Sequence, residues 1–529
     1  MRVSVALALL AGMAAALPTP LVFTPGVTQY GDNMAPLHID ESVETIADSF
    51  LVVLHDWTPQ QLFSQHRELI TGAQASVSAV DAEHGLRHIY DGHGLKGYAG
   101  KFSPDVLAYI RAQPEVAFVE ADSVVHAAVE PEVQVYDMPS ADVAADAFPW
   151  PDWRHLTEKG APWGLARISH RESLTLGTFN QYVYDRESGE GVVAYIIDTG
   201  INVDHEDFGG RASWGTTIPQ GDQDVDGHGH GTHCAGTIGS ATYGVAKHAE
   251  LVAVKVLRSN GSGSMSDVTA GVLWAVADAR NRTETLRNSP STARRHRGFV
   301  ANMSLGGSKS PTLELAVNGA VASGLNLAVA AGNEDQDACN VSPANARRPV
   351  TVGASTIRDE RAYFSNWGPC VDIFGPGLNI LSTWNTGPRS IAALSGTSMA
   401  TPHVVGLLAY LLSIYGTEEF PIPSAEPASK PPPAFAPDSL WSTLRNIAEM
   451  FAPFDMTTIF NRLDRMSAAA ASSSSAAAAV AASKDTPISN VISPDELKRA
   501  LIALSTRGAL EGLDKETRNR LAFNNATHV

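Results

Sequence analysis

The sequence has few cysteines, a deficit of positive charge and no long apolar runs. Its 529 residues include 3 cysteines, so at most one internal disulfide can form and one thiol is left over. Lysine and arginine number 38 against 56 acidic residues, a formal net charge of −18, which argues against nucleic acid or an anionic membrane as a partner. No run reaches the roughly 18 apolar residues of a membrane-spanning helix, so no membrane span is predicted.

The first residues have the pattern of a secretory signal peptide. Arg2 supplies the positive charge, residues 3–11 the apolar segment, and residues 14–16, all alanine, a cleavage site of small side chains. We therefore expect residues 1–16 to be a signal peptide and the protein to follow the secretory pathway, where an oxidising compartment permits a disulfide.

Residues 46–127 predict a small α+β domain. The order strand, helix, two paired strands, helix and strand is typical of a ferredoxin-like fold. The predicted strands are 49–55, 86–90, 94–102 and 116–120, and the predicted helices are 59–70 and 104–112. Residues 128–160 are acidic and proline-rich, so we expect an exposed linker that proteases cut readily.

From residue 161 onward, short apolar runs alternate with helical patterns, which predicts an α/β domain with a mostly parallel sheet. The predicted strands are 192–197, 251–256, 300–305 and 325–331, and the predicted helices are 268–279 and 313–323. Residues 417–492 then interrupt the pattern with proline-rich and Ala/Ser-rich stretches. A capped helix is expected at 495–504, where the pattern resumes.

Ser398 lies where a serine could act as a nucleophile. Residues 396–400 (GTSMA) precede an apolar helical run at 404–412. The first turn of a helix offers backbone N–H groups and the positive end of the helix dipole, which together can hold an oxyanion. The alternative is that Ser395 or Ser398 only caps the helix.

A nucleophilic serine needs a base and an acid that orients the base. Asp198 directly follows the predicted strand 192–197, and ligands of parallel sheets bind beyond the carboxyl ends of their strands. Before the rest of the chain is considered, an ordinary turn aspartate explains Asp198 about equally well.

The glycine-rich segment 226–236 contains His228, His230 and His233. Three histidines so close together could bind a metal ion, or one of them could be a general base at the start of a helix. Zinc hydrolases with an HxHxDH run have an acid before the last histidine. Thr232 stands there in this chain, which counts against the metal.

These segments resemble the three signature motifs of the subtilisin-like serine proteases. The motifs are DTG at 198–200, HGTH at 230–233 and GTSMA at 396–400, in the order typical of the family. The resemblance implies that Ser398 is the nucleophile, His230 the general base and Asp198 the acid that orients the imidazole. It implies a serine endopeptidase that cleaves proteins and peptides with broad specificity through an acyl-enzyme, on a subtilisin-like parallel sheet flanked by helices.

The same resemblance extends to the oxyanion hole and the substrate strands. Asn333, which follows Ala-Ala-Gly, is similar to the residue that completes the family's oxyanion hole. Two glycine-containing segments are similar to those that pair with substrate as an added antiparallel strand, and a third forms a pocket wall. The residues expected to bind substrate are Gly261, Ser262, Gly263, Ser304, Leu305, Gly306, Ala331 and Gly332.

Residues 161–168 (APWGLARI) resemble the start of the mature enzyme in the proteinase K branch of the family, and residues 334–340 and 364–370 resemble its fungal vacuolar members. The resemblance implies that residues 46–127 are an inhibitory propeptide, removed by self-cleavage between about 127 and 160. It implies a catalytic domain formed by 161–416 and 493–524, with 417–492 inserted into it. The expected protein is a monomer of the secretory pathway, with the vacuole as the first expectation and the extracellular space as the alternative.

The resemblance also bears on the cysteines and on metal binding. It implies a disulfide between Cys339 and Cys370 and leaves Cys234 as a free thiol beneath the catalytic histidine. Asp372 matches a calcium ligand of the proteinase K branch, whose other ligands are backbone carbonyls near residues 347–349. The arginines at 347 and 348 argue against calcium, so a structural ion is possible but no cofactor is required.

The sequence does not fit two other classes of hydrolase. An aspartic protease needs a second Asp-Thr-Gly or Asp-Ser-Gly, which the chain lacks, and an α/β-hydrolase has its acid and histidine after the serine. A catalytically silent binding protein on a protease fold would show the loss of a triad residue, and all three are present.

The sequence contains five N-glycosylation sequons, of which those at Asn281 and Asn525 are the better acceptors. The five are Asn260, Asn281, Asn302, Asn340 and Asn525.

Overall fold

The computed structural model describes most of the chain in several stretches. The described residues are 23–26, 34–40, 43–77, 84–127, 134–137, 155–288, 295–415, 420, 488 and 490–527. The chain divides into two compact units, residues 1–420 with 488–529, and residues 421–487. All described residues belong to the first unit. The predicted signal peptide and most of the predicted insertion lie outside the described residues.

A nine-stranded sheet forms the centre of the first unit. Neighbouring strands are parallel except for the last pair, which is antiparallel. The strands, in their order across the sheet, are Ala212–Thr217, Glu250–Lys255, Val192–Asp198, Gly298–Met303, Asn326–Ala330, Val350–Ser355, Ile373–Pro376, Arg520–Leu521 and Thr506–Arg507. The four strands predicted from continuous apolar runs are all present and almost wholly buried, as expected for strands covered on both faces.

Helices cover both faces of this sheet. In the strand Val192–Asp198, Ala194 and Ile196 belong to one hydrophobic cluster, while Tyr195 and Ile197 belong to another. This follows from the strand's period of two. The first cluster includes the helices His230–Gly239 and Thr397–Ile414, and the second includes Met265–Arg287 and Pro311–Ala322.

The helix Thr397–Ile414, which we call the serine helix, runs through the core. All of its residues are buried. Its N-cap is Gly396, so neither Ser395 nor Ser398 has the capping role that the sequence left open, and Ser398 is the second helical residue. By length and composition this helix could cross a membrane, but its complete burial identifies it as a core helix. No other helix of the described residues meets the same criteria.

The C-terminal segment completes the same body. The helix Pro494–Leu504 begins with the predicted cap, in which the side chains of Ser493 and Glu496 each accept from the other's backbone N–H. Leu497 and Leu501 join the hydrophobic cluster that contains the serine helix. The segment then adds two short strands to the edge of the main sheet.

The N-terminal domain has the predicted order of elements. Its sheet has the strands Leu37–His38, Val116–Ala127, Thr45–Leu54, Leu95–Lys101 and Gly85–Gly92 in that spatial order, and its helices are Gln60–Val77 and Pro104–Arg111. The last strand, predicted to end at residue 120, continues to Ala127. The extension forms because it pairs with two short strands of the larger domain, Ser262–Ser264 and Leu305–Gly306.

The predicted linker 128–160 is not free along its whole length. Gln134–Asp137 adds a third antiparallel strand to the hairpin of Ile380–Thr383 and Ser390–Leu394. His155–Lys159 pairs with Gln181–Asp185. Neither strand was predicted from the acidic composition of the segment. Each strand forms because it pairs with a strand elsewhere in the chain. The remaining short elements are the helix Trp163–Ile168 and the 3₁₀ turns Glu206–Phe208 and Ala338–Asn340.

Candidate active site

Asp198 and His230 form a fully buried pair at the carboxyl edge of the main sheet. Asp198 is the last residue of its strand, and His230 is the first residue of the helix His230–Gly239. The imidazole Nδ1 lies 2.7 Å from Asp198 Oδ1, and both side chains are 0% exposed. The Thr199 N–H also donates to Oδ1 at 2.7 Å. The carboxylate therefore holds Nδ1 as the donor, which leaves Nε2 as the free acceptor of the ring.

A close turn brings the helix against the strand. Gly231 follows His230, and a Cβ at this position would clash with the backbone carbonyl of Gly200. Only glycine permits this approach of the two backbones. The Gly231 N–H in turn donates to the Thr199 hydroxyl at 2.9 Å. The glycines of both predicted motifs therefore have a steric role in bringing Asp198 and His230 together.

Asp226 organises the turn before this helix, a role that was not predicted from the sequence. Its buried carboxylate accepts from the backbone N–H groups of His228, Gly229 and Thr232, and from the hydroxyls of Thr199 and Thr232. These bonds satisfy N–H groups that have no acceptor within the helix and place a negative charge at its positive end. An acid three residues before the N-cap was the available signal.

Ser398 lies at the start of the serine helix with its hydroxyl in a defined hydrogen bond. Ser398 Oγ donates to the Ser304 carbonyl at 2.9 Å, and the Ser304 hydroxyl donates to the Ser398 carbonyl at 2.8 Å. Within the described part of the chain, His230 Nε2 has no hydrogen-bond partner. The Ser398 hydroxyl proton would therefore have to leave the Ser304 carbonyl to reach the imidazole, and hydrogen bonds of this kind often form only when substrate is bound.

The helix around Ser398 contains a proline that changes its hydrogen bonding. Pro402 lies four residues after Ser398 and has no N–H to donate to the Ser398 carbonyl. The Ser304 hydroxyl takes this place, and the Cys234 thiol also approaches the same carbonyl at 3.5 Å. The first turn of the serine helix is thus tied to the segment after Met303 by side chains.

Asn333 is oriented by Thr397. Its Oδ1 accepts from the Thr397 N–H and hydroxyl, both at 2.8 Å. Its Nδ2 is buried and has no hydrogen-bond partner among the described residues. Because two donors fix the oxygen, the orientation of the amide follows from its hydrogen bonds, and the Nδ2 donors remain available. The Ser398 N–H is among the first N–H groups of its helix, which have no intrahelical acceptor.

The predicted substrate segments lie beside a strand of the N-terminal domain. Gly263 pairs with Val125, and Gly306 pairs with His126, in two antiparallel ladders on either side of the same strand. The Ala127 N–H also donates to the Gly261 carbonyl at 3.0 Å. Ser262 and Leu305 are members of the same ladders, opposite His126 and Ala127 respectively.

A cleft of about 740 Å³ lies next to these strands. Its lining includes Leu305 and Gly306 on one side and Ala330, Gly332 and Asn333 on the other. Ala331, which was expected to bind substrate, follows the strand Asn326–Ala330, and its side chain is fully buried in a hydrophobic cluster with Phe374 and Leu521.

The three histidines of segment 226–236 do not converge on one point. His233 Nε2 donates to the carbonyls of Ile380 at 2.9 Å and Ala392 at 3.1 Å, and burial lowers its pKa to about 3. It is a neutral core residue. Burial also lowers the pKa of His228, with a further contribution from His230. Among the described residues, the group that could hold a metal is Asp198, His230 and Cys234.

The cysteines have the predicted arrangement. Cys339 and Cys370 form a disulfide, and Cys234 is a buried free thiol. Burial raises the pKa of Cys234 well above its usual value, with nearby Asp198 adding to the effect. A thiol with so high a pKa is a poor nucleophile.

Comparison with known proteins agrees with this geometry. Residues 189–426 match the profile of the Subtilase family, and residues 49–128 match that of Peptidase inhibitor I9. Alkaline protease 2 of Aspergillus fumigatus is 42% identical over 524 residues, which cover 96% of this chain and 87% of that protein. The chain belongs to the subtilase family. Subtilisin-like serine protease Pen c 2 of Penicillium citrinum is 48% identical to this subtilase over 78% of the chain and 86% of its own length.

A solved structure gives a further comparison for this subtilase. The crystal structure of a cold adapted subtilisin-like serine proteinase is 34% identical, covers 69% of this chain and 99% of its own, and has a TM-score of 0.48. The family membership shows that this subtilase is a serine endopeptidase carrying an inhibitor-type propeptide. The predicted recognition, fold class and enzyme activity are thereby confirmed.

Proposed function

We propose that Ser398, His230 and Asp198 are the catalytic triad of this endopeptidase. The observation that carries the proposal is the fully buried Asp198–His230 hydrogen bond of 2.7 Å beside the start of the serine helix. Ser398 Oγ attacks the carbonyl carbon of the scissile bond while its proton moves to His230 Nε2. Asp198 orients the imidazole and stabilises its protonated form.

The oxyanion of this step is held by two donors. They are Asn333 Nδ2, which is buried without a partner, and the Ser398 N–H at the start of its helix. His230 then returns its proton to the leaving amine, and the acyl-enzyme remains on Ser398. Water, deprotonated by His230, attacks the ester and releases the second product. No cofactor takes part in these steps.

The assignment of the nucleophile is tested by covalent labelling. A serine-directed phosphonate should label the processed native enzyme at one site, and Ser398→Ala should abolish the label. Ser395→Ala is the matched control because this serine lies three residues before Ser398, and its hydroxyl accepts from the Asn379 N–H. Labelling that persists in Ser398→Ala, or is lost in Ser395→Ala, would refute the assignment. Absence of any label in the native enzyme would favour a silent binding protein.

We further propose that the propeptide inhibits by lying in the substrate position. Val124 to Ala127 pair with the two predicted substrate strands as an added antiparallel strand, which is how an extended peptide binds to exposed strand edges. Substrates would form the same backbone hydrogen bonds, with side chains entering the neighbouring cleft. Because backbone contacts do not depend on sequence, broad specificity is expected.

This register suggests the bond that is processed. Leu305 is opposite Ala127, so one more residue would bring Ala128 opposite Ser304, whose carbonyl binds Ser398 Oγ. We therefore propose that the Ala128–Val129 bond is cleaved first, although both residues lie outside the described part of the chain. Later trimming within 128–160 is compatible with this order.

N-terminal sequencing tests the processing site. A brief processing reaction of the purified zymogen should release a chain that begins at Val129. The Ser398→Ala chain, expressed without other proteases, should remain full length. A first cut elsewhere in 128–160 would refute the register argument, while cleavage of the Ser398→Ala chain would show that another protease is responsible.

We propose the following domain organisation for the whole protein. The propeptide domain is 46–127, and the catalytic domain is formed by 161–416 and 493–524. Residues 417–492 are an insertion into the catalytic domain. The disulfide and the propeptide support a protein of the secretory pathway. We also propose that the protein resides in the vacuole, is a monomer and is glycosylated at Asn281 and Asn525. The exposure of Asn281 supports its choice over Asn302, which is fully buried. Fractionation and glycosidase treatment test these points.

A further inference from the structure

The region around Asp372 does not fit the calcium ion that the family resemblance implies. The Lys498 ammonium lies 2.7 Å from Asp372 Oδ2 and 2.6 Å from the Pro349 carbonyl. It also lies 3.4 Å from the Arg347 carbonyl. These are the carboxylate and the two carbonyls that were expected to bind the metal. A lysine side chain thus takes the central position among them.

The protein oxygen atoms at this position are arranged around an ammonium group. Calcium takes six to eight oxygen ligands, waters among them, at about 2.3–2.6 Å. The three oxygens around Lys498 match instead the three donors of an ammonium group. Of the Asp372 oxygens, Oδ2 accepts from Lys498 and from the Thr351 N–H at 3.1 Å, and Oδ1 accepts from Arg518 at 3.2 Å.

The local charge opposes a divalent ion as well. Two cations, Lys498 and Arg518, face the single carboxylate of Asp372. The lysine and aspartate side chains are only 20% and 14% exposed, so solvent screens this pair less than an exposed one. A calcium ion would have to displace the ammonium and would then face the remaining arginine.

We propose that the Lys498 ammonium is a built-in replacement for the structural calcium ion at Asp372. It joins the C-terminal helix Pro494–Leu504 to the loop before the strand Val350–Ser355 and to the start of the strand Ile373–Pro376. The stabilising cation is therefore covalently part of the chain and is present at any calcium concentration. It also makes the C-terminal segment, which follows unit 421–487, a structural partner of the main sheet.

Calcium binding to the mature enzyme gives the first test. The enzyme is inactivated with phenylmethanesulfonyl fluoride to prevent autolysis, and its calcium stoichiometry is measured by equilibrium dialysis with ⁴⁵Ca²⁺. The native enzyme and Asp372→Asn should bind equal amounts, whatever other sites exist. One additional calcium ion per chain in the native enzyme would overturn the proposal.

The stabilising role of the lysine gives the second test. In excess EDTA, Lys498→Ala should lower the melting temperature by about 3–6 °C, at 2–4 °C for each kcal/mol in a domain of this size. Arg499→Ala is the matched control, an exposed cation next to Lys498 on the same helix, and should change it by less than 1 °C. An equal effect of both variants would overturn the proposal. Lys498→Arg keeps the charge and should recover part of the lost melting temperature. If Lys498→Ala does not fold, Lys498→Arg should fold, and its failure to fold would overturn the proposal.

Discussion

Replacing Asp122 of the propeptide should weaken inhibition strongly, because this carboxylate caps a helix of the catalytic domain. Asp122 accepts from the Ser266 N–H at 3.0 Å and from the Ser266 hydroxyl at 2.6 Å, at the start of the helix Met265–Arg287. A third bond, from the Ser49 hydroxyl at 2.9 Å, lies within the propeptide. Glu120 caps the helix Pro311–Ala322 in the same way through Thr312.

The magnitude follows from the two bonds that cross the interface. In the free enzyme the Ser266 groups are hydrated, and the native propeptide replaces that water with a charged acceptor. Asp122→Ala would remove the water without supplying an acceptor. Each charge-assisted bond contributes about 1.5–3 kcal/mol, and a cost of burying the charge must be subtracted, since burial raises the Asp122 pKa. A net loss of about 2–3 kcal/mol corresponds to an inhibition constant that is about 30- to 150-fold higher.

The assay is inhibition of the mature enzyme by separately produced propeptide 46–127. Glu68→Ala is the matched control because Glu68 is an exposed acid on the propeptide helix Gln60–Val77, and it should change the inhibition constant by less than about twofold. Ser49→Ala reports on any loss of folding within the propeptide itself, since it removes only the internal bond. An inhibition constant for Asp122→Ala within threefold of the native value would refute the reasoning.

Three further predictions concern the catalytic domain. Asn333→Ala should lower kcat about 10²–10³-fold with little change in KM, measured with a peptide anilide. Burial lowers the pKa of His403 to about 4, so its folded state resists protonation and stability should fall as pH decreases below about 6.5, by about 3 kcal/mol at pH 4. His403→Gln should remove that part of the pH dependence in urea unfolding, whereas exposed His248→Gln should not. Replacing residues 421–487 by a short flexible linker should leave folding and activity intact, whereas truncation at residue 493 should abolish both.

The sequence predicted the parts of the fold that depend on local pattern. Strands such as Val192–Asp198 are buried on both faces, so their apolar runs are continuous and easily recognised. The contact between Asp198 and His230 was also predictable, because the residues that bring them together are glycines beside them in the chain. The capping box at Ser493 and Glu496 is another local signal that the structure contains.

The features that were missed depend on partners distant in sequence. The strand Gln134–Asp137 exists because Ser390–Leu394 offers it an edge, and the strand after residue 120 continues because it has partners on both sides. Lys498 lies 149 residues from Pro349, and nothing near either residue indicates that they meet. Local composition therefore indicated an exposed linker and a doubtful metal site, whereas the fold supplies a strand and an ammonium group.

The hydrogen bonds around Ser304 connect Ser398, the proposed nucleophile, to the proposed substrate strand. Ser304 accepts from the Ser398 hydroxyl and donates to the Ser398 carbonyl, and the residue after it, Leu305, pairs with the propeptide strand. The second of these bonds replaces the backbone bond that Pro402 cannot make. A regular helix would have left the Ser398 carbonyl bonded within its own helix. Because the proline frees that carbonyl, the segment that pairs with the propeptide strand bonds directly to Ser398, so a proline within a core helix contributes to the placement of the proposed nucleophile.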